Sequence, residues 1–407
     1  MEQIISNVDE FVPIIISAFI SLFCTSWIQP YILKVAVTKN IVDKPNARKL
    51  QQVPVPVLGG IAVIFGVLSG LMCFSLFGDF HGLFPVFASI IIIMIIGLID
   101  DIISLSPKIR FAAEILLIIF LSHTTNYQIN NFYGLWGIFE ISNYVSIPLT
   151  IFACVGIINA INLIDGVDGY SSGYSIVSCT LFGIMFHKLG NMQMVALAAI
   201  VGASLVPFFI HNVFGKKSKM FIGDAGTLSL GIIFSVFVIT ILSSSINAER
   251  FINHNLGLIP FTLAVMCIPV ADTLRVMSAR ILKGKSPFSP DKTHLHHLFI
   301  ELGFNHISTA LIIITINSIV ILCWFAAYKC GASIDVQLYL VIAMGVLATF
   351  ILYPFAKIQI RNNTKLYQAI KKVAQKTHLE RKGCWEVLQK IADWQIKDNT
   401  NTKNYIK

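Results

Sequence analysis

The sequence predicts an all-α polytopic membrane protein of about eleven transmembrane helices, with its N-terminus outside and its C-terminus cytoplasmic. Two observations carry that prediction. The first is composition: of 407 residues 56% are hydrophobic and only 13% charged, with a mean hydropathy of +0.76, against the roughly 25% charged residues of an average soluble domain. The second is the lopsided placement of lysine and arginine along the chain.

Apolar runs long enough for a ~30 Å hydrocarbon core, about 17 to 25 residues each, fall near 11–33, 57–77, 85–99, 109–122, 147–161, 174–187, 193–210, 227–245, 256–274, 308–328 and 336–356. The fourth and sixth are short by that measure, so the count drops to ten if one of them does not cross. Lysine and arginine are retained on the cytoplasmic side. With the N-terminus outside, the loops carrying Lys34 to Lys49, Lys108 and Arg110, Lys216 to Lys219, and Arg275 to Lys292 share one face with the tail from Lys357. Only Lys188, Arg250 and Lys329 of the 30 basic residues fall opposite. A shifted count would scatter this asymmetry, so charge supports the count independently of hydropathy.

The net charge of +9 therefore reflects topology and attraction to anionic lipid, not a nucleic-acid partner. Glu2, Asp9 and Glu10 precede any basic residue, the wrong start for a cleaved signal peptide, and the first run is expected to stay as a span. None of the eight cysteines forms a C-x-x-C pair, which indicates neither a disulfide framework nor a zinc site. The chain divides into a transmembrane body with cytoplasmic site loops, 1–356, and a basic amphipathic tail, 357–407. In the tail, Leu366, Ile370 and Val373, then Trp385, Leu388, Ile391 and Trp394, recur at helical spacing. They predict two amphipathic helices on the inner leaflet, with contact to a partner protein as the rival reading.

Ionisable groups near a bilayer are costly and usually functional. Here they concentrate in five cytoplasmic segments, 43–60, 100–110, 159–169, 212–226 and 271–297. Asp100 and Asp101 close an apolar run; a span end tolerates one carboxylate, but two adjacent ones repel unless a cation sits nearby. A divalent ion carried by phosphate suits such hard oxygen ligands. In NAINLIDGVDG, Asn162 and Asp165 are three apart, which predicts a shared helix face, while Gly166 and Gly169 let the backbone leave the helix. FIGDAG places Asp224 between glycines just after three lysines. HLHH supplies His294, His296 and His297 beside Arg280, Lys283, Lys285 and Lys292. With no cysteine to complete a zinc set, this loop reads better as an anion clamp for diphosphate than as a metal site.

Taken in order, these segments resemble the polyprenyl-phosphate N-acetylhexosamine-1-phosphate transferases, the MraY/WecA-type glycosyltransferase family 4. The family's DDxxxLS element matches Asp100 to Ser106, its N-x-x-N-x-x-D-G-x-D-G element Asn159 to Gly169, its GDAG Gly223 to Gly226, and its HxHH His294 to His297. The resemblance implies transfer of an N-acetylhexosamine 1-phosphate, foremost GlcNAc 1-phosphate, from a UDP-sugar to undecaprenyl phosphate at the cytoplasmic face of the bacterial inner membrane. It implies Mg²⁺, with Mn²⁺ as substitute, and it admits a homodimer. By motif match Asp100, Asp101 and Asp224 are expected to be catalytic, and Asp224, Asn162 and Asp101 to hold the metal. Asp165, Asp168 and Phe221 would bind the nucleotide sugar, with Asp168 and Phe221 at the uracil. Arg280, His294, His296 and His297 would grip diphosphate and sugar, and Lys49, Lys108 or Arg110 the lipid phosphate.

One departure stands in the first motif. The family often has histidine after Arg-Lys-x, where this chain has Gln51, so an acid–base role at that position is not expected. The HLHH form and the absence of a muropeptide-specific signature lean towards the WecA-like branch that starts O-antigen, common-antigen or teichoic-type polymers, with a phospho-MurNAc-pentapeptide transferase type or another UDP-N-acetylhexosamine donor as the alternative. A secondary transporter would place its ionisable residues near the midplane and show repeats. These acids gather at one face.

Overall fold

The computed structural model describes residues 2–43, 53–77, 80–244, 255–287, 289, 292–377 and 383–394. The chain is a helical bundle: α1 (Glu2–Thr38), α2 (Gly59–Phe74), α3 (Phe84–Ile103), α4 (Pro107–Thr125), α5 (Asn143–Leu163), α6 (Tyr170–Lys188), α7 (Met192–Phe214) and α8 (Gly223–Ile241). Then come α9 (Leu258–Val265), α10 (Cys267–Leu282), α11 (Leu295–Glu301), α12 (His306–Lys329), α13 (Ile334–Arg361, through one π-helical turn), α14 (Lys365–Lys376) and α15 (Gly383–Asp393). Ten of the predicted apolar runs each fall largely on one helix, and the run at 256–274 is divided between α9 and α10. By length and apolarity seven helices among the described residues can cross a membrane, or eight if the bent α9–α10 pair counts as one. The shortfall lies in α2, which has 16 residues, and in α4 and α6. Two short antiparallel pairs supplement the helices: β1 (Val42–Asp43) with β2 (Val55–Pro56), and β3 (Asn131–Leu135) with β4 (Ile138–Glu140). The seven cysteines among the described residues whose side chains are placed are unpaired.

α8 is the axis, almost wholly enclosed by α3, α5 and α2. Small residues make that possible. A side chain at Gly60 would strike the backbone of Gly226, one at Gly97 would meet Ala225 at 2.6 Å, and one at Gly231 would meet the Ile158 Cα at 2.6 Å. Apolar burial does not distinguish helix from lipid inside a membrane, so close backbone approach is what holds such helices together. Each of these contacts fixes α8 against a different neighbour.

α9 and α10 meet at a bend of 70°. A break among apolar helices frees backbone groups that no water can satisfy. Here buried Asn317 of α12 fills the gap: its amide donates to the Val265 carbonyl at 3.1 Å and its Oδ1 accepts from Ile268 N at 3.0 Å. The Tyr174 hydroxyl donates to the same Val265 carbonyl at 2.7 Å. Pro269, which has no N–H to lose, follows the bend, and the new direction carries Asp272, Arg275 and Arg280 to the end of the bundle where the site lies. Replacing Asn317 with leucine, its near-isostere, strands the buried Ile268 N–H and leaves the Val265 carbonyl with the Tyr174 hydroxyl alone. The variant is expected to lose about 2 kcal/mol or more, seen as a lower thermal midpoint in detergent; an unchanged midpoint would show that the bend needs no such support.

Candidate active site

Asp100 and Asp101 occupy the last turn of α3, which ends where Ser104 adopts a left-handed conformation at φ 55°. Adjacent helical residues point ~100° apart, so the two carboxylates take different partners. Asp101 turns to α8. Its Oδ1 accepts from Asp224 N at 2.8 Å and its Oδ2 from Ala225 N at 3.0 Å. The residue before α8 is Ile222, which has no side chain able to cap, so Asp101 supplies from α3 what an N-cap normally supplies locally. Gly223, at φ 67°, lies where any side chain would crowd that carboxylate.

Asp100 accepts from Leu105 N at 2.7 Å and from Arg110 Nη1 at 3.3 Å, and its carboxyl lies within hydrogen-bonding reach of Asp224. From α5, Asn162 donates to Asp224 Oδ1 at 2.5 Å and to Thr227 Oγ1 at 2.8 Å. Asp100, Asp101, Asn162 and Asp224 thus converge at one end of the bundle. The α2 start joins them: Gly59 N and Gly60 N donate to the carbonyls of Phe221 and Ile222, while Phe221 N donates to Pro56 O. Half-buried Phe221 is held by its backbone.

Asp165 departs from expectation. α5 ends at Leu163, so Asn162 and Asp165 do not share a helix face; Asp165 lies in the turn beyond and accepts from Ser171 Oγ at 2.5 Å. The helix ends ahead of Gly166 and Gly169, with Ile164 as its cap and Asp165 N turned back to the Asn162 carbonyl at 3.4 Å. Burial first, with the Asp168 and Asp224 charges adding to it, pushes Asp165 up to about 7. Asp168 goes the other way: burial would raise it, but the His306 hydrogen bond and the Lys219 and His306 charges outweigh that and hold it below the ordinary carboxylate range. Lys219 Nζ stands 2.6 Å and His306 Nδ1 2.8 Å from its Oδ2. Next to it, Asn212 accepts from Gly169 N at 2.7 Å and donates to Met220 O at 2.8 Å, tying the 159–169 loop to the one before Asp224.

The histidine loop is anchored from α10. Asp272 Oδ2 lies 2.9 Å from His294 Nδ1 and accepts from Leu295 N at 3.2 Å; Asp272 Oδ1 accepts from Arg275 at 2.7 Å. Arg275 also donates to Thr293 O at 2.5 Å and lies 3.9 Å over the Tyr353 ring. The His296 ring stacks parallel to that of His294 and is 4.3 Å from that of His297, and a side chain at Gly166 would run into it. Burial, then the neighbouring histidine charges, hold His296 well below the ordinary imidazole range. Arg280, also buried, donates to Pro287 O at 2.5 Å and lines a cavity of about 190 Å³ with Lys108, Arg110, Glu114 and Asn159. Lys49, expected to bind substrate, lies outside the described residues.

Among the described residues no three His, Cys, Asp or Glu side chains are placed to hold a metal ion. Asp100, Asp224 and Asn162 nevertheless bring two carboxylates and an amide to one place, and a hard divalent ion of the Mg²⁺ kind usually binds through one or two carboxylates with phosphate and water completing its shell. The donor set fits that mode.

The model for "Glycosyl transferase family 4" matches residues 83–242. The "undecaprenyl-phosphate alpha-N-acetylglucosaminyl 1-phosphate transferase" of Yersinia pestis is 32% identical over 287 residues, 70% of this chain and 75% of that protein. The Escherichia coli (strain K12) protein of the same name is 32% identical over 291 residues, covering 70% and 75%. The "probable undecaprenyl-phosphate N-acetylglucosaminyl 1-phosphate transferase" of Bacillus subtilis (strain 168) is 28% identical over 312 residues, covering 76% and 84%. The chain belongs to glycosyl transferase family 4.

The matched part of this family 4 chain contains Asp100, Asp101, Asn162, Asp168 and Asp224, whereas the histidine loop and Arg280 lie beyond it. Three residues of the site went unnoticed in the sequence: Glu114, Asp272 and Arg275. Glu114 and Asp272 each interrupt an apolar run, which was the available signal. Glu114 is fully buried in α4; its Oε2 accepts from Asn159 at 2.7 Å and its Oε1 lies 3.7 Å from Arg110 Nε. It links the arginine that faces Asp100 to the start of the 159–169 segment. Glu114→Ala leaves the Asn159 amide with the Val155 carbonyl as its acceptor and removes the carboxylate beside Arg110. It is expected to lower stability by about 2 kcal/mol or more, while Glu114→Gln, which keeps an oxygen for Asn159, costs less. Thermal melting of both variants in detergent checks the order.

Proposed function

We propose that the chain transfers N-acetylglucosamine 1-phosphate from UDP-N-acetylglucosamine to undecaprenyl phosphate. An oxygen of the lipid phosphate attacks the β-phosphorus of the sugar nucleotide, the bond from that phosphorus to the bridging oxygen breaks, and UMP leaves with the oxygen. The observation that carries this reading is the convergence of Asp100, Asn162 and Asp224 under the Asp101 cap in a family whose similar members carry that activity in their names. Cationic Arg110, Lys108 and Arg280 around one cavity suit the phosphate of the lipid, and the apolar Phe111, Leu163 and Met277 beside them suit its chain.

In this reading Asp224, Asp100 and the Asn162 side-chain oxygen would hold Mg²⁺, or Mn²⁺ in its place, while Asp101, expected among the ligands, gives both oxygens to the α8 amides and sets the position of Asp224. The ion would offset the repulsion between two phosphate anions and the charge of the transition state. The Asp168, Lys219 and Phe221 group receives the nucleotide, and His294, His296 and His297 contact diphosphate and sugar. The reaction takes place at the cytoplasmic face of the inner membrane, with all eleven apolar helices crossing and the N-terminus outside. This is supported by the one-sided lysines and arginines and by the meeting of those helix ends that alternate crossing would put on one side. Gathering at one end of the bundle speaks against a transporter, whose ionisable groups belong near the midplane.

Purified protein with Mg²⁺, undecaprenyl phosphate and radiolabelled UDP-N-acetylglucosamine is expected to give lipid-soluble label and UMP. No UMP from any of a panel of UDP-sugars would refute the transferase reading; release from another sugar would change only the donor. Asp224→Asn and Asp101→Asn are each expected to cost roughly a hundredfold in turnover, and wild-type rates in both would remove these residues from the mechanism.

A further inference from the structure

The tail meets the body more specifically than an amphipathic pattern requires. α15 turns Trp385, Leu388, Gln389, Ala392 and Asp393 inward, the i, i+3, i+4, i+7, i+8 stripe of one helix face, and leaves Val387, Ile391 and Trp394 exposed. The expected membrane-facing set of Trp385, Leu388, Ile391 and Trp394 is therefore split. Trp385 packs edge-on against Phe214 at the end of α7, with ring centroids 4.7 Å apart.

At the end of that stripe Asp393 meets the segment leading from α7 to α8. Its Oδ1 accepts from Lys217 N at 3.0 Å, Ser218 N at 3.0 Å, Ser218 Oγ at 2.9 Å and Lys216 N at 3.2 Å; Lys216 N also reaches Oδ2 at 3.3 Å. Successive amides turned to one point form an anion-binding nest. The turn is tight enough that a side chain at Gly215 would collide with Ser218 and the His211 carbonyl. The segment so held carries Lys219, bonded to Asp168, then Met220, whose carbonyl is bonded to Asn212, then Phe221 and, at the start of α8, Asp224. Asn212 holds it from the side of the 159–169 loop. Asp393 holds it from the other side, 175 residues further along the chain.

We propose that Asp393 is a positioning residue for the sugar-nucleotide side of the site: seated in the amides of 216–218, it fixes the segment before α8 so that Lys219 meets Asp168 and Phe221 keeps its place. The inference rests on the transferase reading for its kinetic part alone. Hydrogen exchange of full-length protein in detergent tests the contact. Asp393→Ala is expected to speed exchange at amides 216–218 roughly tenfold or more, and Asp393→Glu to restore much of the protection. In the UMP-release assay, Asp393→Ala is expected to raise the KM for UDP-N-acetylglucosamine roughly three- to thirtyfold, with kcat, the KM for undecaprenyl phosphate and the thermal midpoint little changed. Combined with Lys219→Met, it should add little to the KM of Lys219→Met alone. Unchanged exchange at 216–218 would overturn the contact, and faster exchange with an unchanged donor KM would overturn the positioning role. A fall in kcat and midpoint with no selective change in donor KM would also overturn it, because that pattern marks a general structural defect. If the wild-type protein releases UMP from no UDP-sugar, the transferase reading fails and the positioning role falls with it; exchange still decides whether Asp393 clamps the segment.

Discussion

The Asp101 carboxylate on the first turn of α8 is the contact on which the site depends. A helix that begins inside a protein leaves its first amides without partners, and α8 begins behind an isoleucine that cannot serve them. Asp101 meets two of these amides with its two oxygens, and its charge lies at the positive end of the helix dipole. The reach from α3 to α8 needs the helices in backbone contact, which Gly97 permits against Ala225 and Gly60 against Gly226. Two glycine-dependent approaches and one carboxylate thereby fix where Asp224 stands. The acid that faces the site owes its position to a neighbour that does not.

That division of labour explains the adjacent pair. Two carboxylates in sequence look like a ligand pair, but a helix sends them in different directions. Asp101 stabilises a helix start, and Asp100 faces Arg110 and Asp224. Local repulsion is eased in part by backbone N–H groups on one side and a guanidinium on the other. The positive charge nearest the acids, on Arg110, is itself shared with Glu114. This supports the view that the acidic end of the bundle gains when a substrate brings a cation.

Much of this was legible in the sequence because it is local. Apolar runs of spanning length mark the helices, and breaks in those runs mark the polar end. The motifs at 100–106, 159–169, 223–226 and 294–297 do assemble around one end of the bundle. What escaped reading is pairing across long separations. Asp101 finds its amides 123 residues away and Asn159 finds Glu114 at a separation of 45, and no spacing rule reports either. Glu114 and Asp272 were visible as charges in apolar runs, yet their partners gave them meaning. The Asn162 and Asp165 spacing misled because the helix ends between them, at Leu163. The tail misled because one amphipathic pattern can serve lipid, protein or both, and α15 divides its apolar residues between body and exterior.

The broken helix follows the same economy as the rest. An unpaired backbone group within an apolar bundle costs more than a polar side chain whose bonds are all met, and four irregular segments here are each held by a side chain from elsewhere. Asn317 serves the α9–α10 break, Asn212 joins the two loops beside Asp168, Asp101 serves the start of α8, and Asp393 serves the turn after α7. Each of these four is acidic or an amide, a residue type that supplies acceptors to free N–H groups. Irregular backbone is what brings loops to the same point at the end of a bundle of straight helices. The side chains that sustain it are therefore as necessary to the site as those that face its cavity, although none of them needs to touch a substrate.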